Sequence, residues 1–334
     1  MFRRLVSSSI DEAFGLMLLH KVLRFGDRPP ALGPADVPHL RSGDPRTFFS
    51  PVPEPADLAS NRRKIAETEH AVVEDFTFVS PVSTPFPRNN VVRGRHWRVK
   101  ASGGCQPPEN VRQTASEPAR RADAPRSPRR TLVLVDGLVQ YGYGSERLFA
   151  ERLNPAGIDV VTIDLPFNHH RTPTGYRPGQ LIVGGDLDHT LGVLRQAVLD
   201  TWALVRGLQT EGRDVALAGI SFGGWTVLST ALVASGLAGV TAIAPPIDML
   251  RVLTEGGVIV RAARRGLGLS PAQFASLRTV AKAVTPSAWP SPLPSGRVFL
   301  HAADYDRFVP TPRIVRSPSA GRRSSCATLP DICN

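Results

Sequence analysis

GISFGG, residues 219–224, sets Ser221 in a Gly-x-Ser-x-Gly frame between an apolar run, DVALAGI (214–220), and a helix-like stretch, FGGWTVLSTALVAS (222–235). A serine at a sharp strand-to-helix turn is held in an unfavourable backbone conformation. Its surroundings leave no room for side chains two residues before or after it. Gly219 and Gly223 remove those side chains. The hydroxyl then stands above the carboxyl ends of the strands, where open α/β sheets bind ligands. The N–H of Phe222 opens the helix and is placed to donate to an oxyanion. A second donor is expected in the turn after TLVLVDG (131–137), from the N–H of Leu138.

Outward from this turn, strands and helices alternate from Thr131 onward, the pattern of a mostly parallel, doubly wound α/β sheet. TLVLVDG is followed by the helical ERLFAERL (146–153), and the strand DVVTIDLP (159–166) by a polar loop, NHHRTPTGYRPG (168–179). Leu187, Leu191, Leu194, Val198, Trp202 and Val205 then form one stripe of a long helix. The strand GVTAIAPP (239–246), helical stretches between Asp248 and Val284, and the strand RVFLHAAD (297–304) complete the series. Upstream, Ser9 and Glu12 make a capping-box pattern for a helix over 8–25, with a Pro-rich connection over 26–60. That helix packs on the main body or lies on a membrane surface. HAVVEDFTFVS (70–80) and NVVRGRHWRV (90–99) alternate apolar and polar residues around a turn, as an antiparallel hairpin does. The organisation expected is residues 1–130 as helix, hairpin and basic low-complexity linker, 131–310 as the core with a helical cap around 248–290, and 311–334 as a disordered tail.

The chain has 334 residues, 42% of them hydrophobic, which suffices for a sizeable core. No run of about 18 consecutive apolar residues occurs, so no membrane span is expected. The N-terminus has no signal-peptide pattern. The cysteines, Cys105, Cys326 and Cys333, lack metal-ligand spacing and fit a reducing, cytoplasmic compartment. The formal charge of +11 raises nucleic-acid binding. Residues 102–130 and 311–334 each carry a net +3, however, in Pro-, Ser- and Arg-rich segments without apolar periodicity. Such segments are solvated linkers or tails rather than a shaped basic face, so no nucleic-acid partner is expected.

From TLVLVDG through DLPFNHHRTP, GISFGG and HAADYDRFVP, the chain resembles the α/β-hydrolase superfamily over residues 131–310. The resemblance implies hydrolysis of an ester or related acyl substrate, a small molecule, without cofactor and without metal. It also implies a carboxylate after RVFLHAAD. Asp306 stands at that position before Val309-Pro310, with Asp248 as the reserve. In the family the base follows the acid, yet no histidine follows Asp306. The segment 311–334 instead shifts abruptly to serine, arginine and cysteine. The expectation is that the reading frame departs from the natural one near residues 311–318.

Among the other histidines, His169 and His170 lie at the same end of the sheet as Ser221. His170 is therefore the candidate base, and a histidine at the pocket rim is the plainer reading. His301 is expected to pack within its strand and His189 to lie on the surface. Val258, Val260, Phe274 and Leu277 in the cap suggest an apolar substrate portion. Two functions follow: a serine hydrolase, or a degenerate hydrolase scaffold that binds a ligand without turning it over. The oligomeric state is not encoded in any of these patterns.

Overall fold

The computed structural model describes residues 40, 42–100, 129–182, 187–249, 251–252, 280–302 and 326–327. The expected helix over 8–25, the linker over 102–128, most of the cap and Asp306 lie outside the described residues. The described elements are β1 (Arg62–Glu67), β2 (Ala71–Val79), β3 (Val91–Val99), β4 (Arg129–Val135), β5 (Asp159–Ile163), β6 (Arg213–Ile220), β7 (Leu237–Ile243), β8 (Val298–His301) and β9 (Cys326–Ala327). The α-helices bounded within the described residues are α1 (Pro45–Phe48), α2 (Gly144–Leu153), α3 (Leu187–Thr210) and α4 (Phe222–Val233).

All nine strands join one sheet in the order β1-β2-β3-β5-β4-β6-β7-β8-β9. Its centre, β5-β4-β6-β7-β8, is parallel. The hairpin β2–β3 adds antiparallel strands against β5, and β9 runs antiparallel to β8. From β4 the chain goes first to β5 on one side, then through α3 to β6 on the other. That reversal opens a crevice at the carboxyl ends of β4 and β6, where Gly137 and Ser221 follow their strands.

Residue patterns account for the layers. The apolar centres of β4 and β5 are buried on both faces, which is why they read as continuous apolar runs. One face of the sheet is covered by α3 and α4, whose Leu191, Leu194, Val198, Val205, Trp225 and Val227 enter the main core. The opposite face carries α2, with Ala150 and Tyr143 packed on Trp97, Val73 and Val160. No described helix is long and apolar enough to cross a membrane. At the start of β5, His96 Nε2 lies 3.1 Å from Asp159 Oδ2 in the interior. Burial holds this imidazole below its ordinary pKa even though Asp159 opposes the shift; Arg213 also bonds that carboxylate and adds to it.

Several expectations are corrected. The connection over 26–60 contains α1, capped by Asp44 through the N–H of Thr47 at 2.8 Å. Phe48 and Phe49, which follow that cap, are fully buried. β1 carries no strand signal because RRKIAE has only two apolar residues, Ile65 and Ala66, adjacent rather than alternating, and is exposed along nearly all its length. Within the expected tail, Cys326–Ala327 pairs with β8. His189 is buried rather than on the surface, with Nε2 2.7 Å from the carbonyl of Leu181. His301 ends β8 but is exposed, because alternate residues of this strand, Phe299 and His301, point to the open face of the sheet while Val298 and Leu300 enter the core.

Candidate active site

β6 ends at Ile220 and α4 begins at Phe222, so the whole turn between them is Ser221. Its backbone sits at φ 52°, ψ −117°, a region that side-chain-bearing residues rarely occupy. Two bonds hold it there. The N–H of Ser221 donates to the carbonyl of Ile243 at 2.8 Å, continuing the β6–β7 ladder. Its own carbonyl accepts from the N–H of Trp225 at 3.0 Å, the first bond of the helix. Ladder and helix together over-determine the intervening residue.

The glycines are required by contact. A Cβ on Gly219 would lie 2.3 Å from the carbonyl oxygen of Gly223. One on Gly223 would lie 2.1 Å from the Val135 oxygen and 2.2 Å from that of Asp136. Both obstacles are backbone at the end of β4, which cannot rotate aside. Gly223→Ala is therefore expected to destabilise the fold by about 3 kcal/mol, at the upper end of overpacking costs. Urea unfolding of the purified variant checks this, and a loss below about 1 kcal/mol would show that α4 is free to shift.

Phe222 is buried, its ring parallel to Trp225 at 5.5 Å, and its N–H is the first amide of α4. The first amides of a helix have no carbonyl partner within it, so this end presents donors and a positive dipole. Across the crevice, a Cβ on Gly137 would lie 3.8 Å from Ser221 Cβ, which puts the turn carrying Leu138 beside the serine. That turn is fixed from two sides. The N–H of Gly137 donates to Asp136 Oδ1 at 2.7 Å, and that of Gln140 to Asn168 Oδ1 at 3.0 Å.

No hydrogen bond joins His170 to Ser221 among the described residues. Among the described residues, no side chain hydrogen-bonds Ser221 Oγ. His170 Nδ1 instead lies 3.0 Å from Asp164 Oδ2, and His169 Nδ1 3.3 Å from Asp164 Oδ1. Tyr143 donates its hydroxyl to Asp164 Oδ1 at 2.6 Å. Asp164 is wholly buried at the end of β5. Burial pushes its carboxyl up, but donation from His169, His170 and Tyr143 outweighs this and holds it below the usual carboxylate range. The Tyr143 hydroxyl is pushed the other way, by burial and by the Asp164 charge. Asp164 and Tyr143 were missed from sequence. The available signal is an acidic residue directly after the apolar run VVTI (160–163), five residues before paired histidines.

The reserve acid, Asp248, is occupied as a cap: its Oδ1 accepts from the N–H of Arg251 at 2.9 Å. Asp306 and the cap residues Val258, Val260, Phe274 and Leu277 lie outside the described residues.

No protein-family model matches the chain, and no curated protein matches its sequence. Solved structures do share its architecture. Acetyl xylan esterase 1 from Thermoanaerobacterium sp. JW/SL YS485 superposes with a TM-score of 0.51 at 15% identity, over 86% of this chain and 83% of that one. An acetyl xylan esterase from Paenibacillus sp. R4 follows at 0.47 and 14%, over 82% and 79%. The Pyrococcus horikoshii acylaminoacyl peptidase reaches 0.45 and 13%, over 72% of this chain and 33% of that one. At 15% identity the likeness to the Thermoanaerobacterium structure is one of fold alone, an α/β-hydrolase-type sheet flanked by helices.

Proposed function

We propose that this protein is a serine hydrolase of an ester or related acyl substrate, with Ser221 as nucleophile. The observation that carries the reading is the backbone of Ser221 at φ 52°, between glycines whose replacement would strike backbone. Strain of about 1–3 kcal/mol at a single polar residue persists where a function requires it. In this reading Ser221 Oγ attacks the acyl carbon. The N–H groups of Phe222 and Leu138 donate to the oxygen that becomes negative, an interaction whose loss typically costs about 100-fold or more in rate. Asp306 orients the base that takes the serine proton and returns it to the leaving group. The substrate is a small molecule, and no cofactor enters these steps. The Thermoanaerobacterium neighbour is by name an acetyl xylan esterase, which makes an acetyl ester the first reporter.

One observation favours a second reading, a hydrolase scaffold that binds without turnover: Ser221 Oγ has no hydrogen-bonded base among the described residues. A fluorophosphonate separates the two, with intact mass as readout. One adduct per chain, absent in Ser221→Ala, is the result expected for the hydrolase. A folded protein that takes no adduct supports the binding scaffold instead.

A further inference from the structure

Asp164, His169 and His170 are left over from the Ser221 reading, and their arrangement is unusual for groups that merely hydrogen-bond. Asp164 does not need the two imidazoles. Its Oδ1 already accepts from the Tyr143 hydroxyl at 2.6 Å and its Oδ2 from the N–H of His170 at 3.2 Å. The rings are brought to it at a conformational cost. Phe167 and His169 have φ of 59° and 42°, in the left-handed region that ordinary side chains avoid. The consequence is that adjacent residues present the same atom, Nδ1, to one carboxylate, with ring centroids 3.7 Å apart.

We infer that Asp164, His169 and His170 form a binding site for a divalent transition-metal ion of the zinc class. One ligand atom from each residue lies within 4.8 Å of the others; the two imidazoles approach different oxygens of the carboxylate, His170 Nδ1 at 3.0 Å from Oδ2 and His169 Nδ1 at 3.3 Å from Oδ1. Bonds of about 2.0–2.1 Å to a tetrahedral ion put neighbouring donors about 3.3 Å apart. Both nitrogen–oxygen spacings are close to that figure, and side-chain rotation would bring one carboxylate oxygen and both nitrogens onto one ion. Imidazole, imidazole and carboxylate are borderline donors suited to zinc, cobalt(II) or iron(II), rather than to calcium or magnesium.

The surroundings fit as well. Tyr143 donates to Asp164 Oδ1, an outer hydrogen bond of the kind that orients metal-ligating carboxylates. The guanidinium of Arg95 lies over the Tyr143 ring at 4.8 Å, but Asp75 neutralises it at 2.7 Å, so it does not oppose a cation. The His169 and His170 side chains are 20% and 45% exposed while Asp164 is at 0%, so solvent reaches the site from the histidine side. Three protein ligands and one open side make a site that can exchange a water for an exogenous ligand. Asp164 accepts from Tyr143, which packs in the α2 layer, whereas α4 packs on the other face of the sheet, so the metal ligands share no residue with the Ser221 turn. It also departs from the family resemblance, which implied no metal.

The test is a zinc titration of the chelator-treated full chain by calorimetry, with cobalt(II) visible absorption as a second readout. One ion per chain is expected. The double variant His169→Gln/His170→Gln should weaken it by more than about 100-fold and abolish the cobalt bands. Tyr143→Phe, which leaves all three ligands in place, should weaken binding by about 10-fold and retain the bands. Both histidines are partly exposed, so the double variant tests the site even where Asp164→Asn fails to fold. Binding that is absent from the wild type, or unchanged in a folded double variant, overturns the inference.

Discussion

Ser221→Gly is expected to reduce acetyl-ester turnover to background while making the protein more stable by about 1 kcal/mol. The two effects have separate causes. Removing a nucleophilic serine from an assembled hydrolase site lowers kcat by on the order of 10⁶, which leaves nothing measurable above buffer hydrolysis. The stability term comes from the backbone at φ 52°, ψ −117°. A residue with a Cβ is strained there by about 1–3 kcal/mol. Glycine removes the strain and returns about 0.5–1 kcal/mol through the greater freedom of its unfolded chain. The balance favours the variant. Ser221→Ala shares the loss of turnover but keeps the Cβ, so it should match the wild type in stability. Chemical denaturation of the three proteins side by side checks the order. A glycine variant no more stable than the alanine variant would mean that the turn is relaxed and the serine need not be there for chemistry.

The turn around Ser221 was legible because its constraints are local. A strand, a glycine two residues before, a glycine two residues after and an amphiphile-free apolar helix all fall within about twenty residues. The same holds for the β2–β3 hairpin, whose alternation survives in its burial pattern. What sequence could not show are features made by distant segments. NHHRTPTGYRPG reads as a polar loop, yet Asn168 and Arg171 within it are fully buried, as is Asp164 in the strand before it. Their partners are Tyr143, Gln140, Asn89 and Asp200, residues up to about 80 positions away. His189 follows the same rule: a histidine at a helix start is ordinarily wet, but here the carbonyl of Leu181 lies 2.7 Å from its Nε2 and the side chain is buried. Conversely, the family resemblance places an acid at Asp306 from motif spacing alone, and no contact among the described residues bears on it.

Arg171→Ala is expected to cost about 3–5 kcal/mol, because it strands a buried charge. Arg171 is fully buried. Its Nη1 donates to Asp200 Oδ2 at 2.7 Å and to the carbonyl of Asp164 at 3.0 Å, and its Nε and Nη2 converge on the carbonyl of Asn89. One side chain thereby joins the hairpin turn, the loop bearing the two histidines and the middle of α3. Asp200 is likewise buried, and its second oxygen accepts from the Ser80 hydroxyl at 2.6 Å. Burial pushes the Asp200 carboxyl above the usual range, and the Arg171 charge partly restores it. With the arginine gone, the folded-state pKa rises further above the unfolded one. Below the unfolded value both states carry the proton and the electrostatic penalty is absent; it grows as pH rises from there through the folded value. The deficit of Arg171→Ala should therefore shrink at acid pH relative to neutrality. Replacing both partners by apolar residues, Arg171→Met/Asp200→Leu, should cost less than Arg171→Ala alone, because no charge is left behind. Urea unfolding at two pH values, applied to the single and double variants, measures both signs. If the double variant is as unstable as the sum of its single changes, the arginine holds the loop chiefly through the Asn89 and Asp164 carbonyls rather than through Asp200.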